Sequence, residues 1–160
     1  MRHRSSGSAA LGRYLLLAAL TLFAACGGED PAFSTPAATF KTYKNAIAAG
    51  DLDMLWSCLS ANYQNTVYQG DRAALAREWR EHPEQLQSAL RREIAQEKPI
   101  NDRIGYLLFD STTLASPQTS PFFYFIREGK GWKLTTHLDS LFHRELEQAI
   151  AKGEFKLPSD

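Results

Sequence analysis

The sequence predicts an α+β domain, helices first and strands second, on three observations. Residues 35–97 carry apolar side chains at helical spacing, punctuated by Thr, Asp, Gly and Pro. After Pro99 the vocabulary turns aromatic and β-branched, with a Gly-Lys-Gly turn at 129–131. A last amphipathic stretch opens at Asp139-Ser140 and stops at Gly153. Composition agrees, since 160 residues that are 44% hydrophobic make one globular domain plus a tail and exclude disorder throughout. With 18 Lys+Arg balancing 18 Asp+Glu and no basic stripe, a nucleic-acid binder is excluded, because neutralising phosphates needs clustered surplus cations. Two Cys make neither a disulfide framework nor a four-Cys zinc site, and no motif calls for a metal or another cofactor.

The N-terminus comes first in order. Arg2, Arg4 and Arg13 precede the apolar run 14–23 (YLLLAALTLF), then Ala24, Ala25 and Cys26. At a rise of 1.5 Å per residue such a run covers about 15 Å, half of the ~30 Å hydrocarbon core, so it reads as a signal peptide over 1–25 rather than a span. Phe23-Ala24-Ala25-Cys26 resembles the lipobox of bacterial lipoproteins, with Phe23 where Leu is usual. That resemblance implies cleavage before Cys26 and acylation of its sulfur and new amino group. Several acyl chains, at about 0.8 kcal/mol per buried CH₂, anchor stably where one would not. Gly27 and Gly28, with no Asp beside the Cys, match the pattern sorted to the outer membrane of a Gram-negative envelope, facing the periplasm. The competing reading is a simple secretory signal with Cys26 as a chance thiol. Removing 25 residues, with three Arg and no Asp or Glu, leaves 135 residues holding 15 Lys+Arg against 18 Asp+Glu, a mildly acidic chain. Residues 26–34 read as a lipidated tether and 35–160 as the domain.

Thr35 followed by Pro36 is an N-cap with Pro at the first helical position, and Phe40, Tyr43 and Ile47 recur until Gly50, predicting a helix over 35–49. Asp51 caps a second helix in which Leu52, Leu55, Trp56 and Leu59 share a face. Asp71 opens a third segment that Pro83 interrupts, and Leu86, Leu90 and Ile94 mark the apolar side of a helix over 83–97, which Pro99 closes. Strands are expected over 103–114, 122–128 and 132–136, the last two joined as a hairpin. Alternation puts Phe122, Tyr124 and Ile126 on one face and Phe123 and Phe125 on the other, so both faces of the sheet require cover. The final helix aligns Phe142, Leu146 and Ile150.

From the segment 34–60, with its aromatic-bearing first helix and the turn Ala48 to Asp51, to the Gly-Trp-Lys strand at 131–133, the chain resembles the nuclear transport factor 2-like (cystatin-like) fold. It is similar in particular to small bacterial lipoproteins of that superfamily. The resemblance implies helices lying across a curved antiparallel sheet, with a cone between them that can hold a ligand. The helix after Ser140 departs from the commonest pattern and would plug the cone or mediate association.

Enzymes of that superfamily work through carboxylate, His or Tyr groups in the cone, but none of their motifs maps onto this chain residue by residue. The acid and base candidates are Asp110, His137 and Asp139, with Tyr106 and Asp110 as a conceivable pair on one strand face. His143 and Glu147 stand at i and i+4, a spacing for two metal ligands that more often serves a solvated ion pair. Cys58 reads as a small buried side chain before it reads as a nucleophile, and Trp56, Trp79 and Trp132 as core. The aromatic set Phe109, Phe122, Phe123, Tyr124 and Phe125 is the expected lining for an apolar or amphipathic small molecule. The expectation is a lipid-anchored, non-enzymatic envelope protein for ligand binding or envelope support. Its competitors are an isomerase, dehydratase or hydrolase with a carboxylate in the cone, and an assembly module docking a second copy or another envelope protein.

Overall fold

Every α-helix but one starts on a side-chain cap in the computed structural model, which describes residues 29–156; residues 1–25, expected as a signal peptide, and Cys26 lie outside the described residues. Thr35 Oγ1 accepts from the Ala38 N–H at 3.0 Å and starts α1 (Pro36–Ala49), which ends at Gly50 with φ 69°, the left-handed conformation glycine adopts without strain. Asp51 then caps α2 (Leu52–Ser57). Ser60 caps α3 (Ala61–Tyr68), a helix with no apolar repeat to announce it, and Asp71 caps α4 (Arg72–Glu81). Pro83 takes the first position of α5 (Pro83–Leu90), the exception.

The helix expected over 83–97 ends seven residues early. Arg91 terminates it, and Ile94 belongs instead to β1 (Ile94–Pro99), so Pro99 closes a strand. All six residues of β1 are exposed, and it is held by backbone pairing to β2 (Ile104–Phe109), with Lys98 opposite Tyr106 and a bulge between Ile94 and Gln96. Lys98, Pro99 and the bulge suit an edge that must not pair with another chain. The strand expected over 103–114 likewise stops at Phe109, because Asp110 caps a 3-10 turn over Ser111–Thr113. β3 (Phe122–Glu128) and β4 (Gly131–Thr135) form the expected hairpin, completing an antiparallel sheet in the order β1-β2-β3-β4. The far edge is covered too: Leu134 exchanges backbone hydrogen bonds of 2.8 Å with Cys58 and Ser60. α6 (Ser140–Ala151) follows, making six α-helices and four strands among the described residues.

The sheet separates two apolar clusters. Leu107, Phe109, Phe125, Trp132 and Leu134 face the first five helices, meeting Phe40, Tyr43 and Ile47 of α1 with Leu55, Leu59 and Leu75. Ile104 and Ile126 on the other face meet Phe142 and Ala149 of α6, with Tyr124 and Leu146 packed alongside. The alternation in β3 is therefore used on both sides. α6 does not enter the space between the first five helices and the sheet; it covers the back of the sheet, tied there by Arg103 to Glu145 at 2.8 Å.

The body also begins earlier than residue 35. Asp30 caps a 3-10 turn over Pro31–Phe33, Phe33 is buried, and the Lys133 ammonium lies 3.6 Å from its ring centre. Gly131 makes this possible, since a Cβ there would lie 3.0 Å from Phe33 Cβ. Glu29 pairs with Arg127 at 2.6 Å, so most of the segment expected as tether is fastened to the β3–β4 hairpin.

Candidate functional site

Of the aromatic side chains expected to line a ligand cavity, Phe109, Phe123 and Phe125 pack into the core against the helices instead. Ring centres lie 4.9 Å apart for Phe40 and Phe109, 5.1 Å for Phe109 and Phe123, and 5.7 Å for Phe40 and Phe123. Phe109 and Phe125 are 2% and 1% exposed. These tilted and edge-on contacts are core packing. Phe122 and Tyr124 face away, stacked on each other at 6.3 Å on the α6 side. The five residues thus divide between two faces and line no common space.

The acid and base candidates are likewise apart. Asp110 is not in a strand: its Oδ1 accepts from the Thr112 N–H at 2.9 Å and the Thr112 hydroxyl at 2.8 Å, and these bonds hold its carboxyl below the usual range. Tyr106 pairs across the sheet with Tyr124 and not with Asp110. His137 is exposed, its ring centre 6.3 Å from that of Tyr124. Asp139 is fully buried as the cap of α6, accepting from the Leu141 and Phe142 N–H groups through Oδ1 and from the Thr135 hydroxyl through Oδ2. His143 and Glu147 are exposed on α6, and no three His, Cys, Asp or Glu among the described residues group as a metal set. Burial pushes the Cys58 thiol up to about 12, so it is a thiol and not a thiolate near neutrality. Trp132 is core, Trp79 packs against the core, and Trp56 lies half-buried with its ring 5.9 Å from Tyr68.

What the helices leave open is a hollow of about 140 Å³ at their own end of the core. Tyr43 of α1, Tyr63 and Tyr68 of α3 and Glu78 of α4 converge there, over a floor that includes Leu55 and Leu59. Tyr68 donates to the Glu78 carboxylate, and the Tyr63 and Tyr68 rings stack at 6.0 Å. Burial first, then the neighbouring Tyr63 and Glu78, pushes Tyr68 far above the ordinary tyrosine range; Tyr43 is raised mainly by burial, with Tyr63 adding to it. Tyr63 is raised too, by burial and then by Glu78, so all three phenols stay protonated and can donate, with Glu78 as acceptor. Such a set can orient a guest of a few heavy atoms over an apolar floor, the volume being about half of the ~300 Å³ where small-molecule pockets begin. Sequence reasoning missed it because α3 has no apolar repeat, and because its members come from three helices.

Neither the family models, nor the curated proteins, nor the solved structures compared with this chain contain a match to it.

Proposed function

We propose that the protein is a lipid-anchored envelope protein whose nuclear transport factor 2-like domain binds a small polar or amphipathic molecule in the tyrosine-lined hollow without transforming it. The observation that carries this reading is the convergence of Tyr43, Tyr63, Tyr68 and Glu78 on a hollow among the helices that core packing leaves unfilled. Helices laid across one face of an antiparallel sheet are compatible with that fold. The charged start, short apolar run and Ala-Ala-Cys of the N-terminus support the anchor, and no described helix is long and apolar enough to cross a membrane. Two residues lie between Cys26 and Glu29, three steps of chain with a reach of at most about 10 Å. A lipid on Cys26 then holds the β3–β4 hairpin, to which Glu29 is paired, against the outer-membrane surface.

The test starts from the full chain extracted from membranes in mild detergent. Native mass spectrometry should find a small molecule bound at one per protein, released chemically unchanged, and lost from the Tyr68→Phe/Glu78→Gln double variant at wild-type melting temperature. Absence of a bound mass, or equal occupancy in the variant, would overturn the site. Cys26→Ser should move the protein to the soluble fraction, and a variant that stays membrane-bound would overturn the anchor. The contact between Glu78 and Tyr68 favours one second reading, an isomerase or dehydratase that uses this carboxylate. Recovery of the bound molecule in two interconverting forms, with Glu78→Gln trapping one of them, would establish it in place of the first.

A further inference from the structure

Arg92 is the most unusual side chain in the fold. It is 9% exposed, and its Nη1 is buried with no hydrogen-bond partner. Its guanidinium carbon lies 4.5 Å from the Phe123 ring centre and 5.4 Å from that of Phe109, so the aromatic core stabilises the cation through ring faces. No carboxylate pairs with it among the described residues. Tyr43 beside it is kept neutral by burial and supplies no counter-charge. A guanidinium does not lose its proton to escape this situation. Buried charges are ordinarily paired, because an unpaired one forfeits hydration without return.

Arg92 forms part of the wall of a cleft of about 290 Å³ between α1 and the start of β1, separate from the tyrosine hollow. Lys41 and Lys44 line the same cleft with Glu93, and the Glu97 carboxylate lies beside it, accepting from the Ala37 N–H at 3.0 Å. Lys44 is already positioned there: its Nζ donates to the Arg92 carbonyl at 3.1 Å and sits 5.6 Å from the Phe40 ring centre. Phe40 and Ile94 supply apolar wall. Three cations outnumber the carboxylates about this cleft and an apolar flank adjoins them, the complement of an oxyanion head on a short apolar body. The volume is at the lower limit for small-molecule pockets, about 300 Å³, which restricts that body to a few carbons.

We propose that this cleft binds a small amphiphilic anion, a carboxylate or phosphate monoester on a short apolar chain, with Arg92 as its anchor and Lys41 and Lys44 as flanking cations. The anion provides the counter-charge that the fold withholds, and a modest turn of the guanidinium gives Nη1 an acceptor. The site is independent of the tyrosine hollow. Its ligand can be a free amphiphile or the headgroup end of a membrane lipid, which share this chemistry.

Titration calorimetry of the mature chain carrying Cys26→Ser uses hexanoate, hexyl phosphate, hexylammonium and hexanol as probes. The two anions should bind, with affinity falling as salt rises, and the cation and the alcohol should not. Arg92→Met should abolish anion binding while melting at or above the wild-type temperature, because it replaces an unpaired buried charge with an apolar side chain of similar length. Arg92→Lys keeps the charge and gives up the fork, and should weaken binding about tenfold in a folded protein. Lys41→Gln/Lys44→Gln should weaken it several-fold and flatten the salt dependence. Flotation with phosphatidylglycerol vesicles separates the sources: capture that hexyl phosphate displaces assigns the lipid, and calorimetric binding without capture assigns the free amphiphile. Equal binding of hexanoate and hexylammonium, or anion binding unchanged in both Arg92 variants, would overturn the proposal.

Discussion

Replacing Asp139 should unfold the domain earlier without touching a ligand site, because the structure uses this carboxylate entirely for its own fold. Oδ1 accepts from the Leu141 N–H at 2.8 Å and the Phe142 N–H at 3.4 Å. Oδ2 accepts from the Thr135 hydroxyl at 2.5 Å; that hydroxyl accepts from Ser60 Oγ at 3.0 Å, which in turn accepts from the Tyr63 N–H at 3.0 Å. One buried chain of hydrogen bonds thus joins the caps of α3 and α6 through β4. Asp139→Ala removes a helix cap worth about 1 kcal/mol and a charge-assisted hydrogen bond worth about 1.5–3 kcal/mol, and leaves the Thr135 proton unsatisfied. The expected loss is about 3–4 kcal/mol, which for a domain of this size lowers Tm by about 10–15 °C. Asp139→Asn keeps Oδ1 but presents an amide N–H₂ to Thr135, and should cost about 1–2 kcal/mol. Thermal and urea unfolding followed by circular dichroism measure both. Ser60→Ala combined with Asp139→Ala should show a coupling of about 0.5–3 kcal/mol in a double-mutant cycle. An Asp139→Ala protein melting within about 3 °C of wild type would refute the network and return Asp139 to the catalytic candidates.

Two further outcomes follow from burial. Trp132 is 6% exposed on the inner face of β4, and its carbonyl accepts from the Thr39 hydroxyl at 2.9 Å, so Trp132→Ala should cost about 3–5 kcal/mol by urea denaturation. A loss below about 1 kcal/mol would contradict the strand register. Cys58, raised from 9.0 to about 12 by burial, holds its proton more tightly folded than unfolded. Its contribution is therefore fully present below pH 9 and is lost as pH climbs from 9 toward 12, with Tyr43 and Tyr68 adding losses of the same sign above pH 10. Unfolding scans between pH 7 and 11 should show falling stability with a shallower fall in Cys58→Ala, and a disulfide reagent at pH 8 should label the thiol only on unfolding. A slope unchanged by Cys58→Ala, or prompt labelling of the native protein, would contradict this.

The elements legible in the sequence are those whose side chains both start the element and bury a face of it. Thr35-Pro36 and Gly50 bracket α1, Asp51 opens α2, and the Gly-Lys-Gly turn between alternating apolar strands gives the hairpin, with Trp132 and Leu134 on the core face. α3 and β1 escaped for opposite reasons. α3 buries Tyr68 alone, so its helix rests on the Ser60 cap and has no stripe to read. β1 buries none of its six residues, and its pairing with β2 is made by main-chain groups that every sequence possesses, so Leu86, Leu90 and Ile94 extend the helical pattern past its true end. A pattern-based reading follows buried faces, and an edge strand exposed throughout offers none.

The same distinction explains the site. Phe109, Phe123 and Phe125 announced themselves as apolar, but periodicity does not separate a cavity wall from a core, and here helix α1 brings Phe40 onto them. Asp139 announced itself as an acid beside a His, although the sequence equally marked it as a cap for the last helix. What decides between such roles is whether acceptor positions remain for a guest. At Asp139 the two oxygens serve two N–H groups and one hydroxyl inside a site closed to water, so no substrate reaches them. At Glu78 the carboxylate faces a hollow with three phenols, and at Arg92 a buried nitrogen has nothing to bond. Capacity left over after the fold is satisfied, and not residue type, is what points to a ligand in this protein. It is set by contacts among α1, α3, α4 and β1, segments up to about 60 residues apart in a chain whose local patterns are otherwise informative.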